Sequence, residues 1–339
     1  MIFALVLLAL LILSLLSNVG YFLSDIMRVG GKHARTGGPR LEETVLEDNG
    51  AVSKIAVVEV QGIISQMIER GGHNMVELIK AQLKRAGEDK KVRAVLLKVN
   101  SPGGEVLASD EINRAITEFQ EKNSKPVIAS MGSLAASGGY YVSVPCRWIV
   151  AHELTITGSI GVILSTWNYR GLMNKVGIRP LVYKSGRFKD MLSGSREPDT
   201  ITDEERQMVQ VLIDEVYTKF KNVVAKGREQ AKKQNGKLGQ ELSADWEDYA
   251  DGRVLSGTEA FKLGFVDERG DFETAVKRAK IIAGIPEANL VEYRPRYDLA
   301  DLFNLFGQTD AKVVKVDVGI EMPKLQAGQL YFLWPTVLN

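Results

Sequence analysis

The sequence predicts an α/β fold built on a largely parallel sheet. Three observations lead there. Lys54 to Val60 and Val92 to Val99 are almost continuously apolar, the pattern of strands covered on both faces. The stretches that follow them place apolar residues at helical spacing. Strands that alternate with helices are joined by crossovers, and crossovers make parallel sheets.

The elements follow in order. After the first strand, Asn74 to Ala86 is amphipathic, with Met75, Leu78, Ile79 and Leu83 on one face. The second strand is broken by Asn100-Ser101-Pro102-Gly103-Gly104. A helix over Ser109 to Glu121 carries Ile112, Ile116 and Phe119. Strands over Pro126 to Ser130, Arg147 to Val150 and Arg179 to Tyr183 come next. Ile201 to Lys226 is a long helix opened by a capping box, Thr202 with Glu205. Its stripe is Val209, Leu212, Val216, Phe220 and Val223, and the basic run Lys221 to Lys237 reads as a solvated face. Thr258 to Leu263 and Glu273 to Ile282 are the closing helices.

The N-terminus has a different character. Ile2 to Leu16 is apolar apart from Ser14, and Ser17 and Asn18 lead on to Tyr21-Phe22-Leu23. Such a stretch is long enough to span a bilayer as a helix. A cleaved signal peptide calls for a basic leading region and a small-residue cleavage site, and neither stands out. The expected organisation is therefore a transmembrane anchor over residues 1–24, a polar linker over 25–52, a folded domain over 53–295 and a tail over 296–339. The tail ends on Tyr331-Phe332-Leu333-Trp334-Pro335, read as a segment that docks on its own domain or on a neighbour.

Composition narrows the chemistry. A net charge of +1 leaves no electrostatic footprint for nucleic acid. The single cysteine, Cys146, allows neither an intrachain disulfide nor a thiolate metal cluster and reads as a core residue. No phosphate-binding Gly-rich loop ending in Lys-Ser/Thr occurs, and no His/Glu metal cluster. Neither metal nor cofactor is expected.

Against this background Met131 to Tyr141, Met-Gly-Ser-Leu-Ala-Ala-Ser-Gly-Gly-Tyr-Tyr, stands out. It follows a strand and concentrates small residues where a backbone must turn sharply. Ser137 followed by Gly138 and Gly139 suits a nucleophile beside an oxyanion hole; a packing turn would use the same residues. The nucleophile needs a base. Of three histidines, His33 lies in the linker, His73 opens a helix, and only His152 is placed to serve. A lysine held neutral is the alternative, and Lys184 and Lys189 flank Ser185-Gly186-Arg187-Phe188. The spacing does not choose between them. The Gly103 and Gly104 amides can face an oxyanion, and Ser159 in Thr157-Gly158-Ser159-Ile160-Gly161-Val162 can bond a buried amine.

Taken in order, these segments resemble the signal peptide peptidase A family, membrane-anchored serine peptidases of the Clp protease/crotonase superfamily. The match runs from about Lys54 to Ile282. Its motifs are Asn100 to Gly104, Gly132 to Tyr141, Thr157 to Val162, Ser185 to Asp190, and Gly252-Arg253-Val254 through Ala260 to Asp267. One departure is Met191-Leu192-Ser193-Gly194-Ser195, where the family more often carries Ser-Pro.

The resemblance implies a fold of repeated ββα units and assigns roles. Ser137 matches the nucleophile, Lys189 the general base, and Ser159 the residue orienting the lysine amine. Gly104 and Gly138 supply oxyanion-hole amides, with Gly103 a substitute for Gly104. The implied reaction is hydrolysis of hydrophobic peptides, such as cleaved signal peptides, through an acyl-enzyme and without a cofactor. The length is that of the family's half-size form, a homo-oligomeric ring, an octamer, whose dyad is shared between subunits. The family faces outside the cytoplasm, whereas Arg28, Lys32, Arg35 and Arg40 after the span point the other way. The expectation follows the family, because a first helix does not always obey the charge rule. Alternatives on the same superfold are a crotonase-like acyl-CoA enzyme and an inactive membrane scaffold.

Overall fold

The computed structural model describes residues 38–68, 73–296 and 330–333. The account concerns the compact unit Leu41–Pro295 with Val316–Asn339. The apolar N-terminal stretch lies outside the described residues. Among the described residues, no helix is long and apolar enough to cross a membrane.

The core is a sheet ordered β1-β10-β2-β3-β5-β6-β9. Its strands are β1 (Leu41–Glu47), β2 (Lys54–Gln61), β3 (Val92–Ser101), β5 (Val127–Ala135), β6 (Trp148–Ala151), β9 (Glu268–Arg269) and β10 (Asn289–Pro295). All neighbours run parallel except β1, which is antiparallel to β10. The two faces follow from the period of two along each strand. In β2, Ala56, Val58 and Val60 enter one cluster with helices α1 (Met75–Glu88) and α2 (Val106–Asn123). Ile55 and Val57 point the other way, toward Ala275 and Ala279 of a later helix, Phe272–Ala283. A largely parallel sheet with helices on both faces is the expected α/β class, and β3, β4 (Gly103–Glu105) and α2 form one ββα unit.

Two expectations change. The segment read as linker supplies β1, whose backbone pairs with β10 from Leu41↔Pro295 onward. Glu42, Glu43 and Glu47 hid it: an edge strand keeps charge outward and gains its stability from backbone bonds. Arg179 to Tyr183 is not a strand. Leu181 and Tyr183 are 82% and 93% exposed, and no neighbouring strand pairs with them. Isolated β-pattern has nothing to satisfy its backbone.

The remaining elements frame the site. Helix α3 (Gly138–Ser143) follows β5 directly, and α4 (Arg170–Lys175) lies in an arm between residues 164 and 200. Helix α5 (Asp203–Asn235) starts at the expected Thr202–Glu205 capping box. Strand β7 (Ile156–Gly158) pairs with β5 and with β8 (Val254–Ser256). Helices α6 (Gly257–Lys262) and α7 (Phe272–Ala283) close the domain. From the tail, β11 (Tyr331–Leu333) pairs antiparallel with β4 of the same chain.

Arg228, in the middle of the basic run, is not solvated. It is fully buried and holds Asp267 through two bonds of 2.6 and 2.9 Å. Asp267 also accepts the Ile149 N–H at 2.9 Å, so this pair locks α5 to β6. Cys146 sits beside it, buried, and burial pushes its thiol pKa upward.

Candidate active site

Ser137 occupies the step between β5 and α3, as the residue before the first turn of the helix. Its backbone is at φ 52°, ψ −116°, a region that side chains avoid. Such strain costs about 1–3 kcal/mol and persists only where neighbouring structure enforces it. A packing turn has no need of it; a serine aimed out of a sharp strand-to-helix turn does. The enforcement is visible. The Ser137 N–H donates to the Gly158 carbonyl at 2.8 Å, and the Ala136 N–H donates to Ser101 at 3.1 Å. Ser137 is only 1% exposed.

The glycines around it are obligatory. A Cβ on Gly138 would lie 2.7 Å from Ser109 Oγ and 3.1 Å from the Gly104 nitrogen. A Cβ on Gly103, at φ 101°, would lie 1.9 Å from the Phe332 carbonyl oxygen and 2.6 Å from the Gly138 nitrogen. The Gly104 and Gly138 nitrogens therefore lie close together beside the Ser137 turn, in space that side chains would fill. An oxyanion hole requires backbone N–H groups placed this way beside a serine.

Ser159 is brought alongside. It is 4% exposed, at φ 50°, and its N–H donates to the Arg253 carbonyl at 2.7 Å. The preceding Gly158 is the residue that holds the Ser137 amide. Thr157 Oγ1 donates to the Ala135 carbonyl at 2.7 Å, fastening the two turns again.

The lysines separate clearly. Lys184 Nζ donates to Asp190 Oδ1 at 2.6 Å and to the Arg187 carbonyl at 3.0 Å. That bond holds the Asp190 carboxyl below its usual range. The Lys184 amine is thus committed to its own loop and not to Ser137. Lys189 is exposed on the arm, and among the described residues its amine makes no bond to Ser137 or to any other group. One chain thus brings together Ser137, Ser159, Gly103, Gly104 and Gly138, and leaves Lys189 apart from them. The loop after Lys189–Asp190 turns through Leu192 at φ 68°, at the point where the sequence departs from the Ser-Pro pattern. His152 is exposed, and its Nδ1 accepts the Leu154 N–H at 3.1 Å.

Sequence reasoning missed an aromatic wall. Tyr141, one helical turn after Ser137, donates its N–H to the Ser137 carbonyl at 2.8 Å. Its ring meets Phe220 of α5 and Phe332 of β11, both at a centroid distance of 4.9 Å. The i, i+4 spacing from Ser137 was the available signal; the partners come from remote segments.

A strained serine at a strand-to-helix turn, facing two glycine amides on an α/β domain, defines a serine hydrolase. Comparison with known proteins makes this a serine peptidase. Peptidase family S49 matches residues 118–285, the stretch that carries Ser137, Ser159 and Lys189. An Enterococcus faecium protein named for the signal peptide peptidase SppA is 37% identical over 263 residues, covering 76% of this chain and 72% of the relative. Protease 4 of Haemophilus influenzae is 37% identical over 69% of this chain, which spans 36% of that protein. Serine protease SPPA of Arabidopsis thaliana, chloroplastic, is 32% identical over 79% of this chain and 38% of its own length. The chain belongs to the signal peptide peptidase A family.

Proposed function

We propose that this protein is a membrane-anchored endopeptidase that cleaves hydrophobic peptides, including signal peptide remnants, with a Ser137–Lys189 dyad. The observation that carries it is the strained Ser137 turn facing the Gly104 and Gly138 amides, with an extended chain segment paired across them. Neutral Lys189 takes the Ser137 proton as Oγ attacks the scissile carbonyl. The developing oxyanion is received by the two glycine amides. Protonated Lys189 returns the proton to the leaving amine, and the acyl-enzyme forms. Water, deprotonated by Lys189, then releases the acid and restores Ser137. Ser159 holds the amine in place.

Lys189 reaches this site from a neighbouring copy in a homo-oligomeric ring, an octamer as the family resemblance implies. Two features support that reading. Among the described residues the Lys189 amine has no partner, and the arm bearing it is apolar yet open: Trp167, Leu172, Leu181 and Tyr183 are all at least 65% exposed. Val211 and Leu212 of α5 extend the same character. Apolar surface of this extent marks an interaction face. Residues 1–24 anchor the ring, with the catalytic domain on the extracytoplasmic side.

A serine-directed fluorophosphonate tests the reading. It should label the full-length protein in its membrane at Ser137, and Ser137→Ala and Lys189→Ala should each lose peptide hydrolysis. Full activity in either variant would sink it. Protease protection on intact cells reports the side of the membrane.

A further inference from the structure

We propose that Arg196 positions Lys189 for catalysis: with Asp190 and Glu205 it anchors the loop that carries this lysine to the first turn of α5. The inference rests on the reading of Lys189 as the general base.

A base on an exposed loop has to be held in place. The lysine amine sits at the end of a flexible four-carbon stem. Among the described residues the Lys189 amine makes no bond, so what this chain can fix is the backbone that carries it. A base must lie within hydrogen-bond reach of the proton it takes, and an error of about 1 Å can cost a hundredfold in rate.

The loop is wound and tied at both ends. Turn bonds follow one another from Gly186 to Arg196. The Lys189 N–H donates to the Gly186 carbonyl at 3.4 Å, Met191 to Phe188 at 2.9 Å, Ser193 to Asp190 at 3.1 Å and Arg196 to Ser193 at 3.3 Å. Asp190, beside Lys189 in sequence, is the node. Its Oδ1 accepts Lys184 Nζ at 2.6 Å and faces Arg196 Nη1 at 3.7 Å. Lys184 enters the loop and Arg196 leaves it, so one carboxylate joins the two ends.

Arg196 carries the anchor to α5. Its guanidinium meets the Glu205 carboxylate as a fork, Nη1 to Oε1 at 2.5 Å and Nη2 to Oε2 at 3.4 Å. Nη2 also donates to the Thr200 carbonyl at 2.6 Å. Glu205 is itself fixed: its Oε2 accepts the Thr202 N–H at 2.8 Å, and its N–H donates to Thr202 Oγ1 at 3.2 Å. The helix cap and the lysine loop thus share one carboxylate. The side chains of Arg196, Asp190 and Glu205 are only 16%, 15% and 4% exposed, so this is no surface pair. A second tie, Arg187 to Glu204, is 69% and 52% exposed, and such pairs hold little. A planar fork on a carboxylate fixes direction as well as distance, which an ammonium does not. Arg196 acts on Lys189 through the loop, as a positioning residue.

The experiment uses the full-length protein in detergent, a hydrophobic peptide and a fluorophosphonate probe. Rates are expressed per Ser137 labelled at completion, so protein that fails to fold drops out. Arg196→Met should lower kcat about tenfold or more and leave KM within about threefold. It should slow labelling of Ser137 by a similar factor, because probe and peptide need the same base. Arg196→Lys keeps the charge without the fork and should fall between Arg196→Met and native. Arg206→Met removes an exposed pair with Asp203 on the same helical turn and should keep kcat within about twofold. Native kcat and labelling rate in Arg196→Met, a change confined to KM, or an equal loss in Arg206→Met overturns the assignment, provided Lys189→Ala is inactive. Should Arg196→Met label nothing, native rates in Arg196→Lys overturn it. Full activity in Lys189→Ala removes the general base and this inference with it.

Discussion

The Ser137 N–H is bonded to the carbonyl of Gly158 at 2.8 Å, so the turn that carries Ser137 is held by the turn that carries Ser159. Two small-residue motifs far apart in sequence are thereby one structure. One hydrogen bond ties the strained Ser137 backbone to the segment that carries Ser159.

Close packing makes the glycines sensitive. Gly138→Ala pushes a methyl toward Ser109 Oγ and the Gly104 nitrogen and should shift the amide proposed as an oxyanion donor. The expected loss is about a hundredfold in kcat, the order found when one such donor is removed. Steady-state kinetics on protein with unchanged far-UV circular dichroism checks it.

A dyad shared between copies has a stoichiometric signature. Ser137→Ala and Lys189→Ala should each be inactive alone. Co-assembled in equal amounts, they should regain about a quarter of native activity, because each site draws its serine and lysine from different chains. A dyad within one chain regains none.

Tail residues Leu330 to Leu333 cover β4, the strand beside Ser137 on which the proposed peptide substrate would lie. Deleting residues 330–339 should speed fluorophosphonate labelling of Ser137 and peptide hydrolysis. Equal labelling rates in the two proteins would show that the segment leaves the groove freely.

The buried Arg228–Asp267 pair predicts an asymmetry. Arg228→Met strands a carboxylate in the core and should cost about 3–5 kcal/mol in urea denaturation. Replacing both residues with apolar side chains of similar volume should cost less than the single change.

Acid stability follows from Glu205 at the start of α5. Bonds from Arg196 and from the Thr202 N–H hold its carboxyl down at about 2. Its folded-state pKa is depressed, so its contribution is complete above the ordinary value of 4.5 and fades as pH falls toward 2. Glu205→Gln should flatten the fall of the denaturation midpoint across that window and leave the neutral-pH slope unchanged.

Much of this was written in local pattern. The apolar runs of β2 and β3, the helical stripes and the Thr202–Glu205 box depend on near neighbours, and they appear close to where they were expected, although α5 runs on to Asn235, past its expected end at Lys226. So do the small residues of the Ser137 and Ser159 turns, since only they permit such backbones. What local pattern cannot carry is pairing. Edge strand β1 is polar and exists only because β10 lies beside it. Arg179 to Tyr183 has strand composition and no partner. Lys184 and Lys189 look alike until Asp190 is seen to bind one of them. Tyr141, Phe220 and Phe332 come from three separate segments, and only the packed chain makes them one wall. Sequence set the chemistry of the turn, because backbone strain and amide exposure are local properties. Tertiary structure decided what surrounds it, because burial, charge pairing and strand addition are properties of neighbours.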